Sequence, residues 1–363
     1  MYYGSRAARL LQSLVEAYSP TFMERDAARL LVEEAWRLGY SQAYLDDAGN
    51  ARLLVEPMER VEEPPRIALV SHIDTVPGWV EPASPPCVVR GRGAVDAKAP
   101  LAAMVAAASL YRPRRAVVEV VAAVGEEGPS HGAWHLVKTG WRADAVIIGE
   151  PTNTTKVAIG YRGGARLRVH CLGEPGHASS SWLYRSACSL VVEAYQAVEE
   201  LSEATARGYT YTVTAMSCGS GGNVVADEAT LVVDLRIPPG GSLEEALEKL
   251  GRRLPEGCWA EKPGSWLPPV AVRPGSPAAR ALMRGLLAEG YRAQPVLKAG
   301  TSDMNILYRV AGSIAAYGPG RSELSHTRHE EVTLAELDLA VRVYINAIRW
   351  LEDTLAKTRR SAG

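Results

Sequence analysis

The sequence has little net charge and no long apolar run, and each shortage excludes a class of protein. The 363 residues carry a formal net charge of −1 with both signs interspersed, so we expect no nucleic-acid partner. No stretch approaches the about 18 uncharged apolar residues that a membrane helix requires. The N-terminus also lacks the apolar core of a signal peptide. We therefore expect a cytoplasmic protein that makes no contact with a membrane.

Clustered cysteines and side-chain amides are also scarce. The five cysteines, at 87, 171, 188, 218 and 258, include no Cys-x-x-Cys pair, which predicts buried or free thiols in a reducing cytosol. Asparagine and glutamine number only five and four while arginine is abundant, which favours a thermophilic source. Hydrophobic residues make up 47% of the chain, enough for a sizeable core, and the length favours two domains.

What the sequence does contain is a series of ligand-type side chains that follow apolar runs. The first run, residues 67–70, leads into Ser71-His72-Ile73-Asp74. Positions two apart on a strand share a face, so both polar side chains can point into one site. A neutral imidazole is a good zinc ligand when an acceptor fixes its other nitrogen. His72 is therefore a candidate metal ligand, and Asp74 is the candidate that orients it.

Carboxylates follow the next three apolar or glycine-rich stretches. Asp96 ends a glycine-rich loop before an alanine-rich helix, and the alternative role for it is the N-cap of that helix. Glu126 and Glu127 end a long apolar strand, where one can bind a metal while the other faces substrate; a solvated loop is the alternative. Glu150 ends the following strand. Strands that alternate with helices predict an α/β sheet, and ligands of such sheets gather at the strand C-termini.

The pattern changes after residue 162. Between 163 and 266 the order strand, helix, strand, strand, helix, strand predicts a self-contained ferredoxin-like α+β domain. Prolines and glycines at 263–269 end this segment, and the first pattern then resumes. We expect a catalytic domain made of residues 1–162 and 267–363, with the α+β domain inserted between them.

A late loop adds one more ligand candidate, His326, although a single loop histidine is more often a surface residue. Two imidazoles and three carboxylates make two metal sites if one carboxylate is shared. Asp96 would bridge, with Glu127 and His326 on one ion and His72 and Glu150 on the other, which leaves a position for water. The ligand set favours two divalent ions, with zinc expected first and cobalt or manganese as alternatives.

Glu126 then remains as the general base that takes a proton from water and later gives it to a leaving amine. A hypothesis from a different class is a non-catalytic metal-binding relative of the same fold. Such a protein would be expected to lack a ligand or the base, and this sequence contains all six side chains.

Taken in order, these motifs resemble those of the di-zinc aminoacylase/carboxypeptidase family, which includes acetylornithine deacetylase and succinyl-diaminopimelate desuccinylase. The resemblance rests on His72-Ile-Asp74-Thr, the run to Asp96-Ala-Lys98, Glu126-Glu127-Gly, Gly-Glu150-Pro-Thr and His326-Thr. It implies an α/β fold: a mixed-sheet catalytic domain of the di-metal aminopeptidase type with an inserted ferredoxin-like dimerisation domain, and therefore a homodimer. Ala99 stands where the family more often has glycine, which puts only the local backbone in doubt.

The resemblance also assigns residues outside the metal cluster. Gly176-His177 is similar to the family element that stabilises the oxyanion. Asn223 and Arg236 match an asparagine and an arginine near the carboxylate end of the substrate. A turn cap and an edge-strand charge are the respective alternatives for these two residues.

The short length of the chain, residues 300–305 and Tyr317-Gly-Pro-Gly look like those of a subgroup that releases lysine or ornithine from the terminal glutamate of an acidic amino-group carrier protein, in lysine and arginine biosynthesis. Arg162, Arg166 and Arg168 are expected to help dock that carrier through their charge. Deacetylation or desuccinylation of small substrates such as acetylornithine or acetyllysine is the alternative, and a carboxypeptidase or aminopeptidase is the second. The residues then expected to contact substrate, besides those named above, are Gly300, Thr301, Ser302 and Arg162.

Overall fold

The computed structural model describes residues 4–202, 208–219 and 221–362, with the side chains of 358–362 left aside. The chain forms two compact units. The first comprises Met1–Ile159, Val272–Val296 and Ser302–Gly363, and the second comprises Gly160–Ala271 and Leu297–Thr301. The insertion expected at 163–266 lies inside the second unit, which extends a few residues further at both ends.

The strands and helices follow one another along both units. The helices are α1 (Gly4–Glu16), α2 (Arg25–Arg37), α3 (Lys98–Leu110), α4 (His131–Lys138), α5 (Ala187–Leu201), α6 (Leu243–Gly251), α7 (Pro277–Ala288), α8 (Met304–Leu307) and α9 (Leu334–Ala362). The strands are β1 (Gln42–Leu45), β2 (Ala51–Val55), β3 (Arg66–His72), β4 (Val88–Arg90), β5 (Val117–Ala123), β6 (Ala145–Gly149), β7 (Lys156–Tyr161), β8 (Gly163–Leu172), β9 (Thr210–Cys218), β10 (Glu228–Ile237), β11 (Cys258–Glu261), β12 (Trp266–Leu267), β13 (Val270–Ala271), β14 (Gln294–Lys298), β15 (Ile314–Tyr317) and β16 (Glu331–Thr333). Within the described ranges, none of the helices has the length and apolar character needed to cross a bilayer.

A mixed sheet with the order β1-β2-β5-β3-β6-β15-β7 forms the centre of the first unit. Strands β5, β3, β6 and β15 run parallel, and β5, β6 and β15 are buried throughout, as continuous apolar runs predict. His72 at the end of β3 pairs with Ala123 at the end of β5, and Ser71 pairs with Gly149 at the end of β6. The three strands therefore end at one edge, where the polar residues that follow them are placed side by side.

Helix α3 lies almost entirely in the core and begins directly after the glycine-rich loop. Its N-cap is Ala97, with no capping side chain, so the alternative role of Asp96 as the cap is wrong. The buried ammonium of Lys98 donates to the carbonyl oxygens of Leu14 at 2.8 Å and Ala17 at 2.9 Å. A cation at the last carbonyls of α1 is favourable, and it ties that helix to the loop that carries Asp96.

The second unit has the strand and helix order that the sequence predicted. Its antiparallel sheet has the order β11-β8-β10-β9, with β12 also paired to β8, and α5 and α6 pack against it. Strands β8 and β10 alternate buried and exposed side chains, which matches a sheet with one face on the core. The ferredoxin-like α+β pattern is therefore confirmed.

The prediction of free thiols is wrong for four of the five cysteines. Cys171 on β8 is bonded to Cys258, which it faces across the β8–β11 pair, and Cys188 is bonded to Cys218. The partners are 87 and 30 residues apart in sequence, so no local spacing marks them. Cys87 is free and exposed.

Candidate metal centre

Five side chains from five stretches of the first unit meet beyond the ends of the parallel strands. The Nε2 atom of His72 lies 3.2 Å from Oδ1 of Asp96 and 4.0 Å from Oε1 of Glu150. The Nε2 atom of His326 lies 3.4 Å from Oδ2 of Asp96 and 2.8 Å from Oε1 of Glu127. Asp96 thus directs one carboxylate oxygen toward each imidazole, and the predicted ligands form two groups that share it.

The orientation of His72 is set by the residue two positions later. Its Nδ1 lies 3.0 Å from the backbone oxygen of Asp74 and 3.5 Å from Oδ1 of the same residue. An acceptor at Nδ1 places a ring proton there, so Nε2, which faces Asp96 and Glu150, is the nitrogen that would bind a metal. Burial works to lower the pKa of His72, but hydrogen bonds to Asp74 and Asp96 raise it well above its usual value.

The carboxylate of Asp74 also holds the turn that carries the two adjacent glutamates. Its Oδ1 accepts from the backbone nitrogen of Glu126 at 3.0 Å, and its Oδ2 accepts from that of Glu127 at 3.1 Å. The hydroxyl of Thr21 donates to Oδ2 at 2.7 Å. Burial alone would raise the pKa of Asp74. The hydrogen bonds from His72, Thr21 and Glu126 outweigh burial and lower the pKa below its usual value, so Asp74 is charged at neutral pH. One buried carboxylate therefore positions a ligand imidazole and both glutamates.

The electrostatics of the cluster favour a positive charge. Hydrogen bonds to Asp96 and Glu127 raise the pKa of His326 to about 10. Burial acts to raise the pKa of Asp96, but His326 and His72 hold it far below its usual range. Two imidazoles and three carboxylates form a donor set that suits zinc, cobalt or manganese, so the residues present fit divalent cations.

Glu126 is half-buried next to these ligands. Burial raises its pKa well above the usual value; the charges of Glu150, Asp303 and Glu127 add to the increase, and His72 opposes it. A carboxylate tuned upward in this way can take a proton from water near neutral pH and return it later. Sequence analysis gave no role to Asp303, whose own pKa burial raises to about 7.

Two further charged residues at the centre were missed by the sequence analysis. Arg92 and Glu330 form a buried ion pair that contacts the loops of both Asp96 and His326. The available signals are weak: an arginine between two glycines, and a glutamate four residues after a histidine. Neither pattern distinguishes a buried pair from two surface charges.

The residues expected to contact substrate in the second unit lie on its loops and strands. The Nδ1 atom of His177 accepts from the backbone nitrogen of Ser179 at 3.2 Å, and its Nε2 lies 3.4 Å from Nδ2 of Asn223. Arg236 on β10 donates from Nε and Nη2 to the carboxylate of Asp234 at 2.7 and 3.1 Å. The structure therefore brings His177 and Asn223 together and fixes the plane of the Arg236 guanidinium.

The three residues of the Gly-Thr-Ser run are divided between the units. Gly300 and Thr301 belong to the second unit and Ser302 to the first. Ser302 is buried, its backbone nitrogen donates to Oδ1 of Asn305 at 2.9 Å, and its hydroxyl accepts from the backbone nitrogen of Met304 at 3.2 Å. The Ser302 hydroxyl is thus engaged in the turn that begins α8.

Arg162 does not offer an exposed charge. Its side chain is buried in the second unit, where Nη2 donates to Oγ1 of Thr210 at 3.0 Å and to the backbone oxygen of Arg236 at 3.1 Å. The expectation that Arg162 docks a carrier is wrong, because its guanidinium is used inside the fold. Arg166 and Arg168 are exposed on β8, where alternation places both on one face.

Known proteins resemble this chain in sequence over nearly its whole length. A putative LysW-lysine/LysW-ornithine hydrolase of Aeropyrum pernix is 37% identical over 358 residues, which cover 98% of both chains. The LysW-lysine/LysW-ornithine hydrolase of Saccharolobus solfataricus is 33% identical over 348 residues, 95% of this chain and 96% of that protein.

Solved structures show the same fold. A tripeptidase from Staphylococcus aureus superposes with a TM-score of 0.82 at 21% identity, covering 96% of this chain and 99% of that one. An M20 family metallo-carboxypeptidase from Sulfolobus solfataricus superposes with a TM-score of 0.74 at 16% identity, covering 95% and 99%. Residues 68–350 match the peptidase family M20/M25/M40. This chain is a member of that family.

Proposed function

We propose that this chain hydrolyses the amide bond between lysine or ornithine and the terminal glutamate of an amino-group carrier protein, in lysine and arginine biosynthesis. The observation that carries a hydrolytic function is the convergence of His72, Asp96, Glu127, Glu150 and His326 beside Glu126. The relatives named as LysW-lysine/LysW-ornithine hydrolases support the choice of substrate. A biosynthetic carrier substrate places the reaction in the cytoplasm.

The five ligand candidates would hold two divalent ions, zinc by preference, with cobalt or manganese as alternatives. Asp96 would be shared, Glu127 and His326 would complete one site, and His72 and Glu150 would complete the other. Ions bound there supply two effects, polarisation of the amide carbonyl and a lower pKa for the attacking water.

Glu126 moves the proton in this reaction. It accepts a proton from the attacking water as the new C–O bond forms, and it returns that proton to nitrogen as the C–N bond breaks. The products are the free amine of lysine or ornithine and the carboxylate of the carrier's glutamate. Asp74 keeps Glu126 in place through its backbone nitrogen, and His177 stabilises the negative oxygen of the tetrahedral intermediate.

Charged groups of the second unit recognise the ends of the substrate. Asp234 fixes the Arg236 guanidinium so that Nη1 meets a substrate carboxylate, and Asn223 adds a hydrogen bond. Gly300, Thr301 and Ser302 complete the contacts. Arg166 and Arg168, which line a surface groove with Lys262 and Glu261, attract the acidic carrier.

The second unit also supports a homodimer. Strand β9 is an edge of its sheet, and Met216 on that strand is 54% exposed. Trp182, Leu183 and Val224 are other exposed apolar side chains of this unit. Exposed edges and apolar patches of this kind are normally covered by a partner. Sedimentation should show a dimer, and Met216→Lys should shift it toward monomer.

The test of substrate is a comparison of kcat/KM for four kinds of amide under a defined metal. These are lysine-loaded carrier, ornithine-loaded carrier, Nα-acetylornithine and a panel of dipeptides and tripeptides. We expect both carrier-linked substrates to be hydrolysed far better than the small ones. Preference for acetylornithine or for the peptides would overturn the proposed substrate and leave the hydrolytic centre standing.

The test of chemistry is Glu126→Gln. We expect this variant to bind metal like the parent protein and to lose about 10²–10⁴-fold in kcat, because only the proton acceptor is removed. Asp353→Asn, an exposed carboxylate on α9, is the matched control and should leave turnover unchanged. Full turnover by Glu126→Gln would exclude Glu126 as the base.

A further inference from the structure

One buried carboxylate oxygen holds the loop that leads to Asp96. Glu330 is 1% exposed, and its Oε2 accepts from the backbone nitrogens of Gly93 at 3.0 Å, Val95 at 3.2 Å and Asp96 at 3.3 Å. Hydrogen bonds to an ionised acceptor are about twice as strong as neutral ones. Three such bonds hold the backbone next to the candidate bridging ligand. Glu330 therefore fixes the backbone position of Asp96.

The second oxygen of the same carboxylate reaches the loop of His326 through an arginine. Oε1 of Glu330 accepts from Nη1 of Arg92, and this nitrogen also donates to the backbone oxygen of Thr327 at 3.0 Å. Thr327 follows His326, whose backbone has a φ of 66°. A non-glycine residue in this left-handed region is strained and persists only where its surroundings impose it. Arg92 holds the carbonyl oxygen of Thr327, the residue directly after His326.

The short strands β4 and β16 pair next to these contacts and bring the loop of Asp96 and the loop of His326 together. Val332 of β16 lies opposite Val89 of β4, and the backbone nitrogen of Gly91 donates to the backbone oxygen of Glu330 at 3.3 Å. The backbone of Gly93, with a φ of 82°, passes so close to Thr75 that a Cβ there would lie 2.7 Å from Cγ2. The loop therefore has one path, from the strand pair past Glu330 to Asp96.

We propose that Glu330 is a positioning residue of the metal centre, and that the Arg92–Glu330 pair holds Asp96 and His326 at the separation that metal binding requires. The inference rests on the proposed function in one respect, that these two residues are ligands. A buried ion pair is weak evidence for stability, since desolvation offsets its attraction. Its contacts to two ligand loops separated by more than 200 residues indicate a role in geometry.

Glu330→Gln tests the proposal because a glutamine offers only one acceptor oxygen. That oxygen serves either the three backbone nitrogens or Arg92, and the amide nitrogen then opposes the other donors. We expect metal affinity to fall about 10–100-fold, as for other residues that support a ligand. The measurement is competition for zinc or cobalt between the metal-free, folded protein and a chromophoric chelator. The visible absorption spectrum of the cobalt form should change as well.

Glu119→Gln is the matched control. Glu119 is also fully buried and ion-paired, accepting from Nη1 of Arg66 at 2.6 Å and from Nε1 of Trp141 at 3.1 Å, but it lies in the first half of β5. The Glu119→Gln variant should have a lower unfolding temperature, as the Glu330→Gln variant should, but its metal affinity should be unchanged. Equal losses of affinity in both variants would mean that Glu330 acts only through global stability, and the proposal would be wrong.

Arg92→Met supplies a second variant if Glu330→Gln does not fold. It removes the link to Thr327 and leaves the three backbone bonds of Glu330 intact, so we expect a smaller loss of affinity. In the double variant the two losses should be less than additive, because both changes break one connection. Strictly additive losses, or wild-type affinity in Glu330→Gln, would overturn the proposal.

The outcomes also separate this inference from the proposed function. In one outcome the wild-type protein binds metal, the Glu330→Gln variant binds it more weakly, and the wild-type protein does not hydrolyse the loaded carrier. That result would support the positioning role and reject the substrate. A wild-type protein that binds no divalent metal with useful affinity would overturn both. Hydrolysis of the carrier with unchanged affinity in Glu330→Gln would retain the function and reject the positioning role.

Discussion

The two halves of the candidate metal centre are built in different ways. In the His72 half, His72 and Glu150 lie at the ends of strands β3 and β6. The side chain of His72 is 1% exposed, and its Nδ1 is fixed by Asp74. The His326 half depends on a loop residue with a left-handed backbone and a side chain that is 49% exposed. Strand ends are positioned by the core beneath them, whereas a loop must be held by specific contacts. The first half is thus placed by the fold, and the second by a few polar bonds.

This difference predicts unequal behaviour of two otherwise similar ligand groups. Sites on strands are held more precisely than sites on loops, which open locally at lower cost. The His72 half should therefore bind its ion more tightly and exchange it more slowly. Asp96 belongs to both halves, so its removal should weaken metal binding in both.

The largest effect is expected from Asp96→Ala. It removes the carboxylate that faces both imidazoles, so both halves lose a ligand and the remaining acids repel one another. We expect loss of all tightly bound metal and of activity, measured by elemental analysis of the purified protein and by turnover. Asp353→Ala on α9 is the control. Retention of one tight ion would mean that the halves do not share Asp96.

Removing each imidazole in turn should separate the halves. His326→Ala should retain one ion per chain, because His72, Asp96 and Glu150 are untouched. His72→Ala should lose the tighter ion and also destabilise the fold by about 1–3 kcal/mol, since it removes one of the buried partners of the Asp74 carboxylate. Metal titration and urea unfolding of both variants provide the measurement. Identical stoichiometry and stability in the two variants would remove the distinction.

The same comparison shows where sequence reasoning succeeded. The apolar runs before His72, Glu126 and Glu150 predicted strands of an α/β sheet, and the rule that ligands gather at strand ends then brought the polar residues together. The split α+β pattern of the second unit was also readable, because alternation and helix spacing are local signals.

The parts that were missed depend on partners far away in sequence. Strands β4 and β16 have three residues each and are separated by about 240 positions, so neither has a period to detect. Glu330 directly precedes β16 and is buried, so its environment depends on that distant pairing. The burial of Arg162 and the two disulfides have the same cause, since the partners come from distant strands and a helix of the second unit.

A smaller effect is expected from Asp74→Asn. An amide can still accept at Nδ1 of His72 but lacks the charge, and it has one oxygen for bonds that two now accept. We expect the affinity for the ion of the His72 half to fall about 10–100-fold. A competition titration that resolves both ions should show a much smaller change for the His326 half. Equal losses in the two halves would show that Asp74 acts through the glutamate turn instead.

The smallest effect concerns the charge of His326 in the metal-free protein. Its pKa is raised from the usual 6.5 to about 10 by Asp96 and Glu127, so the folded state holds its proton more tightly than the unfolded state. The stabilisation is therefore complete below pH 6.5 and is lost as the pH rises toward 10. With the side chain half exposed, solvent screening keeps it small.

The measurement is the difference in unfolding free energy between the parent protein and His326→Ala, in chelator, from pH 6 to pH 10. Burial lowers the pKa of Lys98 to about 7, so this residue favours folding as the pH rises and opposes His326 in the parent protein. Both proteins contain Lys98, so its contribution cancels in the difference. The difference should shrink steadily with pH, because the loop half of the centre is held partly by the proton on its own imidazole. A constant difference would mean that the loop keeps its place without that proton, through Arg92 and its neighbours alone.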